Sequence, residues 1–175
     1  MATSKSGFTI VELLIVVVVI AILAAISVVA YTNIQTRAQA SAIASELRAT
    51  EKAFNAYKAT TGVSSWWFES DASLTGGNVN ISGIISNNAE FRSFLQKPPT
   101  TTGLGTTASW AYDNDGDTYN GCSNSTQGVN IYLSNVTNLS TAQAVDDAMD
   151  DGNLSCGKMR VYGGNLLLYS LSNQR

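Results

Sequence analysis

Histidine is absent from the 175-residue chain, and only two cysteines and two prolines occur. The missing imidazole removes the side chain most often used for proton transfer near neutral pH. No nucleophile elbow, phosphate-cradling glycine loop or pair of carboxylates in visibly different surroundings takes its place. These absences argue against an enzyme. Charge is scarce too: Asp, Glu, Lys and Arg make up 13% of the residues, the net charge is -3, and the pI is near 4.8. No stripe of Lys and Arg is available to neutralise phosphates, so nucleic acid is not an expected partner of this chain by itself. No internal repeat is visible.

The apolar residues that make up 45% of the chain are unevenly placed. From Leu13 to Ala30 only Ser27 interrupts them, and at about 1.5 Å per residue such a helix covers roughly 27 Å, close to the hydrocarbon thickness of a bilayer. Beyond it a helical pattern continues to Thr61. Ile43, Leu47, Thr50, Phe54 and Tyr57 recur at spacings of four and three and draw one stripe, while Glu46, Arg48, Glu51, Lys52 and Lys58 lie mostly off it. Ala38, Ala42, Ala49, Ala53 and Ala56 add small residues that permit close helix approach, and Gly62 is a natural stop.

From Thr60 onward the chain is rich in Gly, Ser, Thr and Asn, as a water-facing domain of turns and short strands would be. Residues 88–96 read as a short helix ended by Pro98-Pro99. Asp115-Gly116 suits a tight turn that would set Tyr112 opposite Tyr119, and Gly163-Gly164 suits another within 158–171. A further strand is expected over 130–135. Ser140-Thr141-Ala142-Gln143 has the capping-box pattern for a helix running to Met149, closed by Asp150-Asp151-Gly152. The expected fold is α+β: a long N-terminal spine helix packed on a small antiparallel sheet of four or five strands.

Several places invite a chemical reading. Cys122 and Cys156 both lie in the polar part, and an even count beyond a membrane segment favours a disulfide between them in an oxidising space. Asp113, Asp115 and Asp117 have the alternate spacing that opens an acidic Ca²⁺ loop, but Thr118 and Asn124 stand where its glycine and bidentate glutamate belong; a solvated turn explains the run as well. Asp146, Asp147, Asp150 and Asp151 crowd a helix C-terminus, where negative charge is unfavourable and a cation would relieve it. Ser65-Trp66-Trp67-Phe68 is the densest aromatic cluster, read as a linker anchored to the core or an exposed contact.

Glu12 is the sharpest anomaly, a carboxylate at the mouth of the apolar run with no further charge until Arg37. A charge well inside a bilayer costs roughly 2.5 to 3.5 kcal/mol on insertion scales. A secretory signal peptide accounts for Lys5 and for Leu23-Ala24-Ala25 as a cleavage site, and a plain anchor accounts for the length. Neither explains Glu12.

Lys5-Ser6-Gly7 followed by Phe8-Thr9-Ile10-Val11-Glu12-Leu13-Leu14 resembles the processing site of type IV pilins and the related pseudopilins, over about the first 55 residues. The resemblance implies a leader of residues 1–7 removed after Gly7 by a prepilin peptidase, and N-methylation of Phe8. Residues 8–30 would then be a hydrophobic half of the spine, in the membrane before assembly and in the filament core after it. Residues 31–61 would be its amphipathic half and 62–175 the globular head. Glu12 would be neutralised by the Phe8 amine of a neighbouring subunit, making it a sensor of assembly.

Implied partners are further copies in a helical filament, the peptidase, and an assembly platform with its ATPase. The implied route runs from a single-pass inner or cytoplasmic membrane precursor to an extracellular filament serving adhesion, motility or DNA uptake. A secretion pseudopilin, or a membrane-tethered binding domain that never polymerises, fits the same residues. The family's usual helix-breaking glycine and proline are replaced here by Ala21 and Val29, so local melting of the helix is less expected. No cofactor is expected, apart from Ca²⁺ if the Asp113 loop holds it.

Overall fold

Residues 10–61 contain neither glycine nor proline, so no backbone position interrupts the helix that the apolar run begins. The computed structural model, which describes residues 7–62, 79–113 and 129–171, has this helix, α1, spanning Ile10–Thr61. Gly62 ends it with φ of 68°, a left-handed conformation that favours glycine, and its N–H donates to Lys58 O at 3.1 Å. By internal contacts the chain divides into two units, 1–35 and 36–175.

In the second unit the outer part of α1 carries the head core. Ile43, Leu47, Thr50, Phe54 and Tyr57 are buried as their spacing predicts. Ala53 belongs to the same buried set, while Ala38, Ala42 and Ala49 are exposed. The alanines therefore do not form one common contact face: position 53 lies three residues after Thr50 and one before Phe54, on the docked side. The charges beside the stripe tie the helix to the head. Glu46 pairs with Lys97 at 2.7 Å and accepts from the Thr100 N–H at 2.6 Å. Glu51 pairs with Lys158 at 2.5 Å and accepts from the Tyr169 hydroxyl at 2.6 Å. Burial, then the hydrogen bond to Glu51, pushes the Tyr169 hydroxyl far above the usual phenol range.

The head elements in chain order are β1 (Val79–Asn80), α2 (Ile81–Asn87), α3 (Ala89–Phe94), β2 (Ala111–Asp113), β3 (Asn130–Leu133), α4 (Leu139–Met149), β4 (Met159–Tyr162) and β5 (Leu166–Ser170). The strands form one antiparallel sheet in the order β1-β2-β3-β5-β4. Its register aligns Tyr112, Ile131, Tyr169 and Met159 in one row across four strands. All four are buried in the cluster that contains Phe54, which stacks on Tyr112 with centroids 5.0 Å apart. The α+β architecture read from the sequence, a spine helix on an antiparallel sheet, is the fold observed.

Three local expectations differ from the structure. Tyr112 stands opposite Val79 and Ile131, not Tyr119, because β2 is an inner strand with both edges filled by distant partners; Asp115-Gly116 lies outside the described residues. Helix α4 is capped by Asn138, whose side chain accepts from Thr141 N–H, and not by Ser140. Gln143, assigned to the capping box, donates instead to Asp147 and to Gly152 O at the far end of the helix. Helix α2, with Ile81, Ile84 and Ile85 buried behind an Asn80 cap, is additional. The Gly163-Gly164 turn is as expected: φ values of 58° and 83° reverse the chain between β4 and β5, with Asn165 as a third loop residue.

Candidate functional site

The described residues of the first unit are mostly apolar helix. Its large apolar side chains from Leu13 to Val29 are 48% to 63% exposed, against 8% or less for the core of the head. An 18-residue window in α1 reaches a mean hydropathy of 3.4 with none of it buried. A water-facing surface of this size and composition is a contact surface for lipid or for other helices. Two hydroxyls on this helix are satisfied by its own backbone: Ser27 Oγ donates to Leu23 O at 2.7 Å and Thr32 Oγ1 to Val29 O at 2.9 Å. Ser27 therefore carries no unmet hydrogen bond into an apolar medium.

At the start of the run the structure shows a partner for Glu12 that the sequence reading overlooked. Thr9 N–H and Thr9 Oγ1 each donate to Glu12 Oε2 at 2.8 Å, and Glu12 N–H donates back to Thr9 Oγ1 at 3.2 Å. This is a reciprocal capping box, and its Thr-x-x-Glu pattern is visible in the sequence. A carboxylate in the first helical turn is also favoured by the helix dipole. Glu12 is thus held within its own chain, on a site still exposed to a second partner.

Gly7 and Phe8 sit just before this turn. Nothing lies within 4 Å of where a Cβ on Gly7 would stand, and its backbone is not left-handed. Among the described residues, therefore, nothing requires glycine at position 7. Phe8 is 83% exposed and packs on no core. A small residue that the fold does not need, followed by an unpacked aromatic, is what a segment recognised by another protein looks like. Residues 3–28 match the family model of the prokaryotic N-terminal methylation motif. The chain carries the type IV prepilin cleavage and methylation segment. No curated protein and no solved structure matches the chain.

The methylation segment supports a type IV pilin-like or pseudopilin precursor, and with the single N-terminal apolar helix it fits a membrane-anchored one. It also suggests a structural, non-enzymatic role. It ends at residue 28, so the head is outside it. There, Asp113 is buried in β2 opposite Asn130, while Asp115 and Asp117 lie outside the described residues. Cys156 lies on the turn before β4, its N–H donating to Asn153 O at 2.8 Å; Cys122 lies outside the described residues, as do Trp66, Trp67 and Phe68. Asp146 is buried at the end of α4, and burial, then Asp150, Asp151 and Asp147, push its carboxyl up to about 7.

Proposed function

We propose that this chain is the precursor of a filament subunit: cleaved after Gly7, N-methylated at Phe8, and polymerised through residues 8–30 into a type IV pilus-like surface fibre. The observation that supports this most is the methylation segment on a helix whose large apolar side chains from Leu13 to Val29 are all exposed, with Glu12 at its mouth. In the membrane the run meets lipid; in a fibre it meets the same run of other copies. Packing replaces lipid contact, and the Phe8 amine created by cleavage offers Glu12 a cationic partner on a neighbouring subunit, so that both members of the contact are charged, whereas the Thr9 donors are neutral. Peptidase, platform and ATPase act on the segment from outside.

Mechanical shearing of cells producing the chain tests this reading. The subunit is expected in the released fibres; recovery in membranes alone would favour a tethered binding domain.

Cys122 and Cys156, the chain's two cysteines, are proposed to be paired. The loop so closed is worth about 3 to 4 kcal/mol in the chain-entropy model. Cys156→Ser should lower the melting temperature of the full chain in detergent, and reductant should do the same to the parent; a parent indifferent to reductant would contradict the bridge.

A further inference from the structure

The end of α4 brings together three carboxylates. Asp146 lies in the last turn, Asp150 is the C-terminal cap residue, and Asp151 follows. One ligand oxygen of each lies within 4.8 Å of those of the other two. Carboxylates so close repel one another, and the α4 carbonyl ends add negative potential. Clustered acids alone are common on surfaces, but Asp146 is different: it is 0% exposed, and neither of its carboxylate oxygens has a hydrogen-bond partner among the described residues. Protonation would remove its charge but leave a buried O–H and carbonyl equally unmet, at a cost of about 1 to 3 kcal/mol.

The basic side chains around this turn engage other acceptors. Lys158 Nζ pairs with Glu51, Arg48 Nη2 donates to Ala148 O, and Arg160 Nη1 donates to Gly157 O. Asp147 accepts from Gln143. The cluster is also rigid where it needs to be. Asp150 Oδ2 accepts from the N–H groups of Lys158 and Met159, and Asp151 Oδ1 from Asn153 N–H at 2.9 Å. These bonds hold two of the carboxylates in place and leave lone pairs on each.

We propose that Asp146, Asp150 and Asp151 bind a divalent cation of the size of Ca²⁺. Oxygen ligands on one Ca²⁺ stand about 2.3 to 2.6 Å from it, so two of them are separated by at most about 5.2 Å, which accommodates the observed spacing; Mg²⁺, at about 2.0 to 2.1 Å, demands a tighter set. Water and backbone carbonyls complete the shell. The ion fastens the end of α4 to the entry of β4 through Asp150, and so braces the turn that carries Cys156.

The test uses the full chain in detergent, with thermal melting and terbium luminescence as readouts. Millimolar CaCl₂ is expected to raise the melting temperature by several degrees over EGTA, with MgCl₂ much weaker and NaCl of equal ionic strength without effect. Asp146→Asn should weaken terbium binding at least tenfold and abolish the Ca²⁺ shift while melting in EGTA no lower than the parent. The exposed Asp151→Asn, which leaves the core untouched, should weaken binding as well, and Asp115→Asn should leave it unchanged. Identical melting in Ca²⁺ and EGTA, an equal shift with NaCl, or a shift retained in Asp146→Asn and Asp151→Asn would overturn the site.

Discussion

Cells whose only copy of this subunit carries Glu12→Ala should insert and cleave the precursor normally and make few or no fibres. Insertion should be slightly easier, because a charge has left the apolar segment. Two separate losses contribute to the defect. The carboxylate half of the capping box, which accepts from Thr9 N–H and Oγ1, disappears while the backbone N–H of residue 12 keeps its bond to Thr9 Oγ1, and the anion that fixes the register of an incoming subunit is lost as well. Glu12→Gln separates them. Glutamine in the third helical position still serves a capping box, yet it offers no charge to a buried amine, and an amine buried without a counter-charge is costly. Both variants should therefore fail to assemble. Normal fibres from Glu12→Gln beside none from Glu12→Ala would mean that Glu12 acts as a helix cap and not as a counter-ion.

Phe54→Ala should nearly unfold the head. Phe54 is fully buried between Phe91, at a centroid distance of 4.8 Å, and Tyr112, at 5.0 Å with the rings 14° from parallel. Truncation of a buried phenylalanine costs about 3 to 5 kcal/mol, and the loss of two aromatic contacts places this site at the upper end. Domains are stable by roughly 5 to 15 kcal/mol, so much of the margin would go. Denaturant titration of the full chain measures it. Lys52→Ala, two residues away and exposed, should change stability by no more than about 0.5 kcal/mol. A Phe54→Ala effect as small as that of Lys52→Ala would mean that the stripe on α1 does not hold the head.

What was readable in the sequence, and what was not, divides by the range of the interaction. The helix α1 is written locally, in a continuous apolar run, a stripe from Ile43 to Tyr57 and a terminating Gly62. The β4–β5 hairpin is equally local, since two glycines with positive φ suffice to turn it. The partners of β2 are not local. Asp115-Gly116 next to Tyr112 suggests a nearby return strand, but the burial of Tyr112 against Phe54 is achieved by pairing with Val79 and Ile131, which no short pattern encodes. The cap of α4 was misplaced because Asn138, Ser140 and Thr141 are all good caps within one turn, and only the structure shows which N–H each can reach.

The candidate site shows the same division. Glu12 stands out from composition, because a carboxylate at the mouth of an apolar run is unusual wherever the rest of the chain lies, whereas Gly7 and Phe8 are legible only through the resemblance to the type IV pilin processing site. Thr9 was legible as the first member of Thr-x-x-Glu, but its pairing matters only once the helix is seen to start at Ile10. Asp146 was legible in part. It follows Ala142 by four residues and Val145 by one, on the face that turns inward, yet in the sequence nothing sets it apart from Asp147, Asp150 and Asp151. Helix α4 meets β4 only in the folded head.

The intact mass of subunits released as fibres by shearing tests the central claim most directly. The account predicts a chain that begins at Phe8 and is heavier than the bare sequence from Phe8 to Arg175 by CH₂, the net gain when one amine hydrogen is replaced by methyl. A fibre subunit that begins at Met1, or one that begins after Ala25, would contradict it.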